Sequence, residues 1–170
     1  MSARKTPSNA AAIPATRRDV AAVARRCRKI VTRRALVAAG AAVVPIPGLD
    51  VAVDLGVLMK MLQEINEAFG LTPAQIDALA TRRRLTAYKA IAAIGSSYIG
   101  RIVTRELAMA LVKRVARRIA TATAVKYVPL AGQALAAGIS FAAIKYIGER
   151  HIQDCIAVAD RVIEAERSRR

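Results

Sequence analysis

Asp50 and Asp54, two carboxylates one helical turn apart, come closest to a site by residue type and spacing. They share a face at the start of an apolar helix, where such a pair can hold an ion or pass a proton. A structural role is the simpler expectation. Asp50 in the first turn offsets the positive end of the helix dipole, worth ~0.3–1 kcal/mol. Asp54, a turn deeper, pairs with a lysine or arginine from a neighbouring helix, Lys126 being a candidate. Other reactive types are sparse. His151 is the one histidine, and between Arg150 and a polar helix it reads as a surface residue. Cys27 and Cys155 fall on apolar stripes and read as small buried hydrophobes, suited to a reducing compartment. Zinc-ligand spacing is absent, as are the phosphate-binding loop, the nucleophile elbow and the metalloprotease helix. The expectation is a protein without catalytic activity, cofactor or metal.

Phosphate recognition is the chemistry the composition does favour. The chain carries 28 Lys+Arg against 12 Asp+Glu, a net charge of +16. The excess is segregated: residues 1–34 and residues 81–118 each hold ten basic residues and one acid, whereas 149–170 holds five of each. The candidate phosphate contacts are Arg25, Arg26, Arg28, Lys29, Arg33 and Arg34, then Arg82, Arg83 and Arg84, then Lys113, Arg114, Arg117 and Arg118. Each basic residue close to an anionic leaflet contributes about 1 kcal/mol, screened by salt. Nucleic acid would meet the same charges, but no aromatic platform interleaves with them and no compact helix-turn-helix stands out. The blocks abut apolar arms instead, as the positive-inside rule prefers. The alternative is a soluble basic helical protein that binds nucleic acid or an acidic partner protein.

The elements that must position these groups are helices. With 170 residues the chain suits one domain; it is 55% hydrophobic, only 4% aromatic and rich in Ala, Val, Ile and Leu, which favours helix packing over a sheet. Residues 1–16 read as a flexible lead. From Arg17 to about Val43, Val20, Val23, Ala24, Cys27, Ile30 and Val31 recur at helical spacing among arginines. Pro45 and Pro47 stop this helix. A second runs from Leu49 to Phe69, with Gly70 as its C-terminal cap. Thr72, Pro73 and Gln75 form an N-capping signature for a short helix to about Leu79. Further helices are expected at about Leu85–Val103, at Glu106–Tyr127, and from Gly132 toward the C-terminus. The segment 149–170 reads as a water-facing amphipathic helix with Ile152, Ile156, Ala159 and Ile163 on its stripe.

An internal repeat organises residues 17–148. Arg33-Arg34, nine residues and Val44-Pro45-Ile46-Pro47-Gly48 recur 84 positions later as Arg117-Arg118, nine residues and Val128-Pro129-Leu130-Ala131-Gly132. The expected fold is an all-α bundle of about six helices built on two pseudo-repeated helical hairpins, with corners at Pro45, Pro47 and Gly48 and at Pro129 and Gly132. Asp50 and Asp54 mark the first corner only. Small residues four apart (Ala52 and Gly56; Ala92, Ser96 and Gly100; Ala134, Gly138 and Ala142) suggest close helix contacts. Between Lys126 and Lys145 lie 18 uncharged residues, near the ~20 a span requires. The first hairpin carries two aspartates, each costing ~2.5–3.5 kcal/mol at mid-membrane. An interface-lying or re-entrant hairpin fits better than two simple spans. Thr32-Arg33-Arg34 before an alanine-rich run has the look of a twin-arginine leader, but the internal copy at Arg117-Arg118 argues against that.

The run Ala42 to Asp50, with Val53-Asp54-Leu55, Met59, Met61-Leu62, Glu64-Ile65 and Phe69-Gly70-Leu71, resembles the core motif of the YcjF-type family of unknown function, and Val128–Ala134 to Ile147-Gly148 resembles its later motif. EcsC-type proteins carry a similar motif. The resemblance implies a bacterial domain on the cytoplasmic face of the inner membrane, often fused to Era-like GTPases. This chain has no GTPase domain, so it would be the membrane-associated module alone, serving a GTPase or other partner in trans, with homo-oligomerisation a further expectation. The resulting reading is a non-enzymatic scaffold or membrane-interaction module, its arginine-rich helices on anionic lipid and its apolar hairpins inserted or packed.

Overall fold

A computed structural model describes residues 12–41, 49–96, 98–104, 106–111, 113 and 129–169; within these, only the backbone is described for 49–54 and 129–136. Among the described residues the fold is all-helical. Five helices have defined bounds: α1 (Arg17–Ala41), α2 (Leu49–Ala68), α3 (Pro73–Asp77), α4 (Thr81–Ile94) and α5 (Pro129–Arg167). Residues 106–111 are also helical.

α5 has 39 residues, about 58 Å of helix, and the other helices are arranged along it: α1 packs on it most extensively, and α2 and α4 flank it. Proline at its first position suits a helix start, where no donor is lost. Gly132 therefore lies in the first turn, and α5 begins three residues earlier than the glycine corner suggested. The buried stripe of α1 is Val20, Ala24, Cys27, Val31, Ala35 and Ala38, a three- and four-residue rhythm that turns one face to the core.

Arg34 pairs with Glu64, seven residues before the end of α1 and fifteen after the start of α2. Were the two helices parallel, their connected ends would lie about 33 Å apart, more than the ~29 Å that the intervening chain can reach. They are antiparallel, and α2 leads away from the apolar end of α1.

Local signals fix the ends. After α2, Gly70 takes φ 69°, Leu71 N–H donates to Asn66 O at 2.8 Å and Gly70 N–H to Glu67 O at 3.1 Å, the paired bonds of a Schellman cap. Thr72 and Gln75 form the expected capping box. α4 differs from expectation: it starts at Thr81 and ends at Ile94, where Gly95 turns left-handed at φ 71°. The small-residue spacing through Gly100 had suggested continuation to Val103, but Gly100 too has positive φ, 68°, and its N–H donates to Leu71 O at 3.1 Å, which ties the loop back to the end of α2.

The core unites all these elements. Leu58, Met61, Leu62 and Ile65 of α2 and Phe69 just after it are fully buried, as are Ile152, Cys155, Val158, Ala159 and Val162 of α5. Residues 149–167 are thus continuous with α5, and the stripe read from the sequence packs into the core: Ile152, Ala159 and Ile163 are buried and Ile156 packs against them, while Gln153, Arg161 and Glu164 face water. The N-terminal lead also contributes: Ile13 is 2% exposed, and Arg83 Nη2 donates to its carbonyl at 3.3 Å.

Helices approach closely at Gly148, where a Cβ would stand 2.6 Å and 2.7 Å from the Val31 methyls and 3.1 Å from Met61 Sδ. The spacing motifs do not provide comparable contacts. A Cβ at Gly56 or Gly138 would meet nothing within 4 Å, and at Gly100 it would meet only side-chain tips of Ile91 and Ile76.

Candidate functional site

The basic residues of α1 divide by helical position. Arg28 and Arg34 flank the buried stripe and are tied into the fold. Arg28 Nε lies 3.2 Å from Glu149 Oε2, and Glu149 Oε1 lies 3.0 Å from Lys145 Nζ, which also donates to Thr32 Oγ1 at 3.0 Å. Arg34 makes a two-toothed ion pair with Glu64, its Nε reaching Oε2 at 3.3 Å. Arg25, Arg26, Lys29 and Arg33 point outward and are exposed, with no ion pair among the described residues. The same outward face continues past Arg33 into Leu36 and Val37, which are 59% and 54% exposed. Ala38, one position on, is buried, so the helix is still packed on one side while its apolar residues face solvent on the other.

Between α1 and α2 this face opens into a groove of about 670 Å³. Arg26, Ile30, Arg33 and Val37 line one wall; Glu64, Glu67 and Ala68 form the other, with the Arg34–Glu64 pair joining them.

The second basic block behaves differently. Arg82 is exposed, but Arg83 Nε lies 2.9 Å from Glu166 Oε1 while its other arm holds the Ile13 carbonyl, and Arg84 Nη1 donates to Asp77 O at 3.4 Å. These arginines anchor α4 and the N-terminal segment as well as facing water. Lys113 is exposed. Arg114, Arg117 and Arg118, the corner residues Pro45, Pro47 and Gly48, and Lys126 lie outside the described residues. Asp50 and Asp54 occupy the first two turns of α2, and their side chains are also outside the description.

His151 overturns its reading as a surface residue. It is 3% exposed, and its Nε2 lies 2.9 Å from Asn66 Oδ1. Asn66 is itself oriented by donating from Nδ2 to Tyr98 O at 2.7 Å, so the ring donates from Nε2 and its Nδ1 carries the lone pair. That Nδ1 is buried without a hydrogen-bond partner. Tyr98 packs edge-on to the ring with centroids 6.3 Å apart, and the Cys155 thiol lies 3.9 Å from Asn66 Oδ1 and 3.8 Å from the ring. Burial lowers the His151 pKa to about 4, opposed by the Leu62 carbonyl. The ring is neutral at pH 7.

Cys27 and Cys155 are buried and free. Burial pushes the Cys27 thiol up to about 11 against the opposing charge of Arg26, and burial, followed by Cys27 and Asp154, pushes Cys155 well up. Neither is an activated nucleophile. No group of three or more His, Cys, Asp or Glu able to hold a metal occurs among the described residues.

Asn66, Glu64, Glu67 and Gly148 were missed as structural or site residues. The helical spacing placed Asn66 beside the α2 core stripe of Leu62, Ile65 and Phe69, which was the available hint; nothing local pointed to the others. No protein-family model, curated protein or solved structure matches the chain. No helix among the described residues is long and apolar enough to cross a membrane.

Proposed function

We propose that this chain is a non-enzymatic, membrane-associated helical module that docks on an anionic bilayer through the outward face of α1. The carrying observation is the order of residues on that face: unpaired Arg25, Arg26, Lys29 and Arg33, followed within one turn by the exposed Leu36 and Val37. Leu36 and Val37 enter the acyl boundary while the guanidiniums stay at phosphate level, where their planar donors pair with phosphate oxygens.

The module would stand on two pseudo-repeated hairpins in a bundle of about six helices. Supporting that architecture, α1 and α2 are antiparallel. The likeness of Ala42–Leu71 to the YcjF-type motif supports a cytoplasmic-face location on a bacterial inner membrane, with a GTPase or another protein, or a second copy of the chain, as partner.

Flotation with vesicles tests the reading. The protein should rise with phosphatidylglycerol-containing vesicles at low salt and lose most of that binding as salt screens the arginines; binding that persists at high salt would report the apolar part. A chain that stays at the bottom with every vesicle but binds DNA with a steep salt dependence would favour the nucleic-acid alternative.

A further inference from the structure

The groove between α1 and α2 carries a chemistry more specific than general attraction to anions. We propose that it is a site for a zwitterionic lipid head group, a phosphodiester bearing a primary ammonium, as in phosphatidylethanolamine; the lipid source of this ligand rests on the membrane reading above.

The charges left over in the groove point to such a ligand. Arg34 and Glu64 satisfy each other. What remains is Arg26 and Arg33 on one wall and Glu67 on the other, all exposed and without ion-pair partners among the described residues. A simple cation would be repelled by the two guanidiniums, and a simple anion would pair with them but leave the Glu67 carboxylate without a partner. A molecule carrying a phosphate and an ammonium a few ångströms apart satisfies both.

The order along the groove matches the order of groups in a lipid. Val37 lies at the apolar end, Arg33 and Arg34 one turn back, and Ile30 a further turn back. Because α2 runs antiparallel to α1, Glu67 lies one turn farther from the apolar end than Glu64, which is level with Arg34. Starting from the tip, the groove therefore presents the Val37 wall, the Arg33 guanidinium and the Glu67 carboxylate, in the sequence chain, phosphate, ammonium, with Arg26 about a turn beyond Glu67. A guanidinium grips a phosphate through parallel N–H donors. A primary ammonium donates N–H bonds to a carboxylate, which a quaternary ammonium lacks. The volume of about 670 Å³ is ample for a head group and the first chain carbons.

The test measures the intact chain against dihexanoyl phosphatidylethanolamine and dihexanoyl phosphatidylcholine below their micelle-forming concentrations, by titration calorimetry. In parallel, flotation uses vesicles of fixed phosphatidylglycerol content in which phosphatidylethanolamine replaces phosphatidylcholine. Glu67→Gln and Arg33→Gln are compared with the parent chain, with circular dichroism confirming that each exposed-site variant remains helical. The expected result is about three- to tenfold tighter binding of the ethanolamine lipid. Glu67→Gln should erase that preference, and Arg33→Gln should weaken both lipids. Equal affinity for the two lipids, unaltered by Glu67→Gln, overturns the proposal, and the membrane reading survives if flotation on phosphatidylglycerol persists. Ethanolamine preference in calorimetry without flotation on any vesicle keeps the groove chemistry and rejects the membrane reading; absence of both rejects both. Glycerophosphoethanolamine, the same head group without chains, should bind more weakly than the short-chain lipid. Equal binding would overturn the lipid source in favour of a free phosphoamine.

Discussion

His151 is a buried, neutral imidazole whose one good hydrogen bond goes to Asn66, and this makes the fold acid-sensitive. Its folded pKa is about 4 against an ordinary 6.5, so the unfolded chain takes up a proton that the folded chain refuses. The contribution is fully present above pH 6.5 and is lost as pH falls toward 4, on the order of 3 kcal/mol in all. Urea unfolding at pH 7 and at pH 4.5 should show this loss in the parent chain. In His151→Gln, which has no imidazole to titrate, stability should be lower at pH 7 but fall less between the two; an identical fall would exclude His151 as the cause. Asn66→Ala strands both the Tyr98 carbonyl and the His151 N–H and should cost roughly 3 kcal/mol, read from the urea midpoint. Helical spacing disclosed the burial of Cys27 and Cys155. The burial of His151 was not legible, because Glu149 and Arg150 beside it suggested a wet face, while its position one turn before Cys155 in fact placed it inward; its partner is 85 positions away.

At Gly148 three helices meet closely, and its partners Val31 and Met61 come from α1 and α2. A β-carbon at 2.6 Å from a Val31 methyl forces the crossing apart, so Gly148→Ala should cost about 1–3 kcal/mol, even though alanine is the better helix former. Gly138 lies in the same helix, exposed and with nothing near its Cβ, and Gly138→Ala should stabilise by ~0.5–1 kcal/mol. Equal effects of the two substitutions in urea unfolding would contradict the packing at Gly148. Elements governed by local chemistry could be read directly: the Gly70 cap, the Thr72–Gln75 box and the rhythm of Val20, Ala24, Cys27 and Val31 all depend on neighbours in sequence. The end of α4 could not, since Gly95 and Gly100 resemble helix-packing glycines until the bond from Gly100 to Leu71 is known. The segment after Gly148 was legible as an amphipathic helix, its stripe of Ile152, Ala159 and Ile163 being buried. Balanced charges described its outer side, and its inner side depends on α1 and α4 being there to cover it.

At the scale of the whole molecule, charge and greasiness are arranged along one line on α1. The segregation of arginines was plain in the sequence, but which of them are committed was not: Arg28, Arg34 and Arg83 are held by glutamates 121, 30 and 83 positions away, and this leaves Arg25, Arg26, Lys29 and Arg33 to face outward. Leu36 and Val37, exposed just beyond them, give this basic face an apolar end. Replacing both with serine removes little that packs, so the unfolding midpoint should shift by less than ~0.5 kcal/mol, while vesicle affinity should fall about tenfold or more. The most direct measurement is flotation of the parent chain with phosphatidylglycerol-containing vesicles at low salt, beside the Leu36→Ser/Val37→Ser variant and an Arg25→Gln/Arg26→Gln/Lys29→Gln/Arg33→Gln variant. The expected result is that the parent floats, that the glutamine variant loses the salt-sensitive part of binding, and that the serine variant loses the salt-resistant part. A parent chain that remains at the bottom of the gradient, or floats equally well with both faces altered, would contradict docking through α1.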